Sequence, residues 1–329
     1  MTTAAPRLQN ASAGIVFVLV GVLAISVNDL LIKFLSGGYP LHQMVFTRSA
    51  IAICFSLVLV QIEGGWHILR TRTPGLHALR GVLIVIANMS FFAALAVLPL
   101  AEATAVFFVA PLMITLLSIP LLGEKVGPLR IGAVMVGLIG VVVITRPWQG
   151  EAGREVSPLI YLLPVAAALT YALNQVLTRK LGVAAKASAL AVYIQGMFLV
   201  VSLLFWVVAG DGRFAAGLEN QSLIFLLRAW AWPEGRDLWL FVALGLDSAV
   251  VGYCLSAAYR AADAATVAPF EYVGLPMAIF WGWVVWGELP EPVVAVGIAL
   301  ILGAGLFVFL RERRKKRHPV STRRIPRRY

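Results

Sequence analysis

Charged and amide side chains stand inside stretches that are otherwise long and apolar. Asn28 and Asp29 interrupt ISVNDLLIKFL, Arg48 closes QMVFTR, and Asn88, Asn174, Gln175, Gln195 and Asp247 stand in similar runs. Glu271 lies in APFEYVGLP, flanked by Pro269 and Pro276. An ionised group in hydrocarbon costs at least about 2.5 kcal/mol, so each charge must face protein or water. Residues of these types, scattered over many apolar segments, suit the binding of a polar molecule better than catalysis. Cys54 and Cys254 fall within apolar runs and give neither a disulfide framework nor a metal site. The four histidines, His42, His67, His77 and His318, have no ligand spacing, and no glycine loop of the Walker type occurs. No cofactor is expected. The enzyme alternative is a membrane-embedded activity on a lipid-linked substrate.

Prolines mark where the backbone must be irregular. Pro111, Pro269 and Pro276 free carbonyls that only neighbouring helices or trapped water can satisfy, so they read as hinges beside a cavity. Corresponding proline-interrupted spans in two halves of a chain point to a transport site.

The elements that hold these residues follow from composition. Of 329 residues 60% are hydrophobic and 13% charged, far from the quarter expected of a soluble domain. Runs long enough to cross a bilayer predict ten spans, near 14–35, 41–61, 80–98, 103–122, 128–146, 158–180, 188–209, 238–259, 264–286 and 292–311. The fold class expected is an all-α integral membrane protein. Residues 1–13 form a short cytoplasmic leader without a cleavage pattern, and 312–329 a basic cytoplasmic tail.

A shift of 164 residues lays Gly287-Glu288 on Gly123-Glu124, Pro292 on Pro128 and Gly245 on Gly81; a shift of 146 lays Asn174 and Arg179 on Asn28 and Lys33. The chain is thus two five-span repeats, 14–146 and 158–311, joined by a linker at 147–157. An odd number of spans per repeat inverts the second half, the arrangement of secondary transporters. From Arg311 onward the tail holds ten Lys or Arg against one Glu, which places both termini in the cytoplasm of a bacterial inner membrane by the positive-inside rule. A lipid anchor accounts for that tail without nucleic acid.

Depth within the spans groups the polar residues. Asp29 and Arg48 lie at one level near the outside and are predicted to pair; Gln175, Gln195 and Glu271 form an uncharged-plus-carboxylate level near the inside, with Asn88 and Asp247 near mid-membrane. Tyr171, Tyr253 and Tyr272, with Phe91 and Phe92, fill the space between. The repeat-mate of Glu271 is Phe107, so this carboxylate is open to two readings, a structural partner for Arg260 or a group that couples a proton to transport. Spans 5 and 10 carry small residues, Ala295, Ala299 and Gly303 among them, which admit either packing within the chain or a homodimer seam. Residues 218–232 read as an interfacial amphipathic piece, with re-entry the alternative, and Trp281, Trp283 and Trp286 as an interface belt.

With ISVNDLLIKFL, QMVFTRSA, LLGEKVGPL, VWGELPEPV and APFEY in view, residues 14–311 resemble the EamA-type drug/metabolite transporters. The resemblance implies a 5+5 inverted repeat in which spans 1–4 and 6–9 surround a central cavity and spans 5 and 10 lie at the periphery. The expected function is secondary-active transport of a small polar metabolite by alternating access. Amino acids are the favoured substrate class, with a vitamin, a nucleotide-related metabolite or an organic carboxylate as the alternatives.

Overall fold

The computed structural model describes residues 11–71, 73–123, 126–148, 156–180, 187–261 and 267–316. The basic tail beyond 316, residues 1–10 of the leader, 149–155 of the linker and Glu124 of the repeated motif lie outside them. The chain forms α1 (Ala11–Leu35), α2 (Leu41–Glu63), α3 (Pro74–Leu95), α4 (Leu100–Phe107), α5 (Ala110–Leu122), α6 (Pro128–Thr145), α7 (Leu162–Lys180), α8 (Ala187–Ala209), α9 (Gln221–Leu227) and α10 (Arg236–Ala261). A 3₁₀ stretch (Ala268–Val273), α11 (Gly274–Trp281), a π turn (Gly282–Trp286) and α12 (Pro292–Lys316) complete it. Nine spans among the described residues are long and apolar enough to cross a bilayer, α4 and α5 counting as one.

The stretch predicted as a further span over 264–286 is, from residue 267 onward, three short consecutive segments of different pitch. Pro269 at the start of the 3₁₀ stretch and Pro276 within α11 explain why no single α-helix runs through it. The fourth span breaks in the same manner. α4 stops at Phe107, Val109 donates to the Val106 carbonyl in a tight turn, and α5 restarts with Pro111 in its first turn, where a missing N–H costs nothing. The third span starts at Pro74, six residues before the predicted 80, because proline is well placed to open a helix.

Seven of these spans and the broken segment that contains α11 close into a ring. α1 packs on α10, α10 on α2, α2 on α8, α8 on α3, α3 on α7, α7 on α4 and α5, α4 on α11, and α11 returns to α1. The packing repeats under exchange of the halves: α1 on α10 corresponds to α7 on α3. α6 and α12 pack on each other outside the ring. Their backbones touch at Gly140 and Gly297, where a Cβ on either glycine would sit 2.8 Å from the other's carbonyl oxygen. The seam therefore uses Gly297, Ile301 and Ala304, whereas Ala295, Ala299 and Gly303 are exposed on the opposite side of α12.

The expected interfacial piece at 218–232 is a docked cap. Only Gln221–Leu227 is helical, roughly 10 Å at 1.5 Å per residue and too short to cross. Phe225 is fully buried in the core, Ser222 Oγ donates to the Ala93 carbonyl (2.6 Å), and Gln43 exchanges hydrogen bonds with the backbone of Ala231. The tryptophan belt is corrected in part as well. Trp283 points outward, but Trp281 Nε1 donates to Ser26 Oγ (3.1 Å) and the Trp286 ring lies under Lys33.

Candidate functional site

The ring encloses a cavity of about 460 Å³ whose wall draws on both halves of the chain. Of the residues predicted to form a site, Asn28, Asp29, Arg48, Asn88, Pro111, Tyr171, Gln195 and Glu271 line it. A volume in the range of metabolite pockets, mostly apolar with a few convergent polar groups, is the form a small-molecule site takes.

Arg48 is the best-fixed group in the wall. α2 brings it between α1 and α3, where Nη1 donates to Asn28 Oδ1 and Nη2 to Asn88 Oδ1, both at 2.9 Å. Asn28 is itself oriented, because its amide nitrogen donates to Ser248 Oγ (3.0 Å) and that hydroxyl donates to the Leu244 carbonyl (2.9 Å). The guanidinium also lies 5.5 Å from the ring centre of Phe92 and 5.4 Å from that of Phe198, within cation–π reach. Asp29 and Asp247 are near enough to act on it electrostatically.

The predicted Asp29–Arg48 pair is therefore corrected. Both residues face the cavity, but among the described residues no Asp29–Arg48 contact falls within 4.0 Å, and the guanidinium spends its bonds on two neutral amides. Equal depth placed the two side chains at one level; the direction in which each leaves its helix decided their partners.

The other predicted residues distribute around this centre. Gln195 lies on the border between the main cavity and a second one of about 430 Å³, which Tyr253 also lines. Gln175 donates to the Tyr171 hydroxyl (2.8 Å) from outside the lining, and Asn174 is buried away from it. Asp247 stands behind the wall beside the Asn28 amide, and its buried Oδ2 makes no hydrogen bond among the described residues. Tyr272 stacks on Phe108 (5.3 Å) and presses its hydroxyl against Gly305 of α12, so it joins the ring to the peripheral helices. Pro276 belongs to α11 without lining the cavity, and the Pro269 side chain lies outside the described ones. Ser26, Thr104, Phe108, Phe198 and Ser248 line the cavity without having been singled out. Only Ser248, beside Asp247, carried a sequence signal.

The two ends of the ring differ. At the far face, where α1 ends, Lys33 Nζ meets Glu288 Oε2 (2.9 Å) and the Leu98 carbonyl (3.0 Å) and stands 4.7 Å over the Trp286 ring. Tyr161 donates to Glu102, and Arg146 meets Glu291 at 2.7 Å. All three charged contacts join the first half to the second. Toward the near face, where α1 begins, the second cavity continues from the first through Gln195, Ser248 and Gly252.

Comparison with other proteins gives the family. A model of the EamA-like transporter family matches residues 12–146. A riboflavin transporter of Rhizobium johnstonii is 31% identical over 97% of this chain and 98% of its own length. The chain belongs to the EamA-like transporter family. A riboflavin transporter of Vibrio cholerae is 30% identical over 93% of both chains, and an S-adenosylmethionine uptake transporter of Rickettsia prowazekii is 27% identical over 92% of this chain and 94% of its own. One solved structure superposes with a TM-score of 0.60 at 21% identity, covering 93% of this chain and 99% of its own, which supports the fold. This EamA-like transporter is accordingly a multi-pass membrane protein that carries small metabolites, not an enzyme.

Proposed function

We propose that this EamA-like transporter is a secondary-active carrier of a compact planar metabolite, with a flavin-type vitamin as the first candidate, working by alternating access in a bacterial inner membrane. The observation that carries the reading is the cavity at the junction of the halves. Its wall pairs a fixed guanidinium with the aromatic side chains of Phe91, Phe107, Phe108 and Tyr171. The names of the two riboflavin transporters point the same way. The far face, latched by Lys33 and Glu288, would be periplasmic and closed, and the near face cytoplasmic. Glu271, which lines the cavity and acts electrostatically on Tyr171, is the group proposed to take up a proton in the cycle.

Amino acids remain a second reading, since Arg48 and Asp29 in one cavity would suit a carboxylate and an ammonium. Uptake of labelled riboflavin into proteoliposomes containing only this protein, with unlabelled amino acids as competitors, tests both. Saturable riboflavin uptake that amino acids leave unchanged is expected. Uptake of amino acids without riboflavin would replace the first reading with the second.

A further inference from the structure

Two of the five N–H groups of Arg48 are taken by Asn28 and Asn88; the other three make no hydrogen bond among the described residues. Its plane is set by those amides and by Phe92 and Phe198, so the remaining donors have a fixed direction. The amide oxygens orient the guanidinium without neutralising it. Asp29, one position along α1 from Asn28, lines the same cavity and has no hydrogen-bond partner among the described residues. Thr104, 6% exposed on the opposite wall, has a buried hydroxyl that likewise lacks one. Buried polar groups are normally paired, so the orphaned Thr104 hydroxyl, the spare donors of Arg48 and the unbonded Asp29 carboxyl around one cavity call for a ligand that completes them.

We propose that Arg48 and Asp29 read the polar edge of a planar heteroaromatic substrate, Arg48 donating to a ring carbonyl and Asp29 accepting from the adjacent ring N–H. Asn28 and Asn88 are positioning residues that hold the guanidinium in line. The ligand class that fits is a neutral cyclic imide or ureide fused to an aromatic system. A simple carboxylate would satisfy Arg48 but face the Asp29 carboxyl, a simple cation would satisfy Asp29 but face Arg48, and a small zwitterion, which meets both, would leave the phenylalanines of the wall uncovered. A neutral edge that alternates carbonyl and N–H meets both without adding charge, and its ring system rests against the phenylalanines. A site built to bond a substrate N–H rejects an analogue lacking it, because its own polar group is left unpaired.

This inference rests on the flavin reading, and the experiment separates the two. Binding of riboflavin and of 3-methylriboflavin, which lacks the imide N–H, is measured by flavin fluorescence quenching on the purified protein and on Asp29→Ala. The wild-type protein should bind riboflavin at least about tenfold more tightly than the methylated form. In Asp29→Ala the ratio should fall to within about twofold, the signature of a contact between that side chain and that ligand group. Where Asp29→Ala does not purify, Asp29→Asn keeps the shape while weakening the acceptor, and the ratio should fall several-fold. Equal binding of both flavins by the wild-type protein, or a ratio unchanged in the variant, would overturn the edge-reading while leaving flavin transport standing. Binding of neither flavin would remove the flavin reading itself.

Discussion

Arg48 shows how a charge is kept inside a membrane protein without a contacting counter-ion. Two amide oxygens and two aromatic faces hold it, and each amide bond to a charged group is worth about 1.5–3 kcal/mol. Lysine keeps the charge but not the planar fork. Arg48→Lys is expected to lower riboflavin uptake in proteoliposomes at least about tenfold while leaving the protein folded by size-exclusion chromatography. Unchanged uptake would show that the fork has no part in transport. Glu271→Gln is expected to abolish the dependence of uptake on an imposed pH gradient, measured as initial rates with and without the gradient; a variant that keeps that dependence would make Glu271 structural. The participants at this scale were legible in the sequence, because a charge or amide in an apolar run is conspicuous. Their pairing was not. Depth along a helix follows from counting, but the face follows from how the helix is rotated by its neighbours, and so Asp29 was predicted to hold the place that Asn28 and Asn88 fill.

Among the elements, the broken spans and the paired peripheral helices carry the design. Pro111 stands in the first turn of α5 after the break at Phe107, and Pro276 lies in the short α11 between a 3₁₀ stretch and a π turn. The cap formed by α9 was not foreseen, since seven residues between polar turns look interfacial unless one knows that Phe225 finds a socket among α2 and α3. Within the chain, the α6–α12 seam uses a different stripe from Ala295, Ala299 and Gly303: a helix rich in glycine and alanine offers several, and only the partner selects Gly297. A side chain there meets the Gly140 carbonyl, and overpacking of this kind costs about 1–3 kcal/mol. Gly297→Leu is therefore expected to lower the melting temperature of the detergent-solubilised protein by several degrees, whereas Gly303→Leu, on the open side of α12, should leave it within about one degree. Equal effects at the two positions would place the seam elsewhere.

For the whole molecule, the far face is bridged between halves by Lys33–Glu288, Glu102–Tyr161 and Arg146–Glu291, while cavities occupy the ring from its centre toward the near face. In the proposed alternating-access cycle those bridges break as the far side opens and the near one closes, because only one end of a shared site is open at a time. A cross-link across Lys33 and Glu288 should hold the far face shut. The most direct measurement is counterflow in proteoliposomes, made with Lys33→Cys/Glu288→Cys in a background lacking Cys54 and Cys254. Preloaded unlabelled riboflavin should accelerate entry of labelled riboflavin, a reversible bis-thiol cross-linker should arrest it, and reduction should restore it. Entry that is indifferent to preloading, or that continues after cross-linking, would contradict alternating access through this cavity.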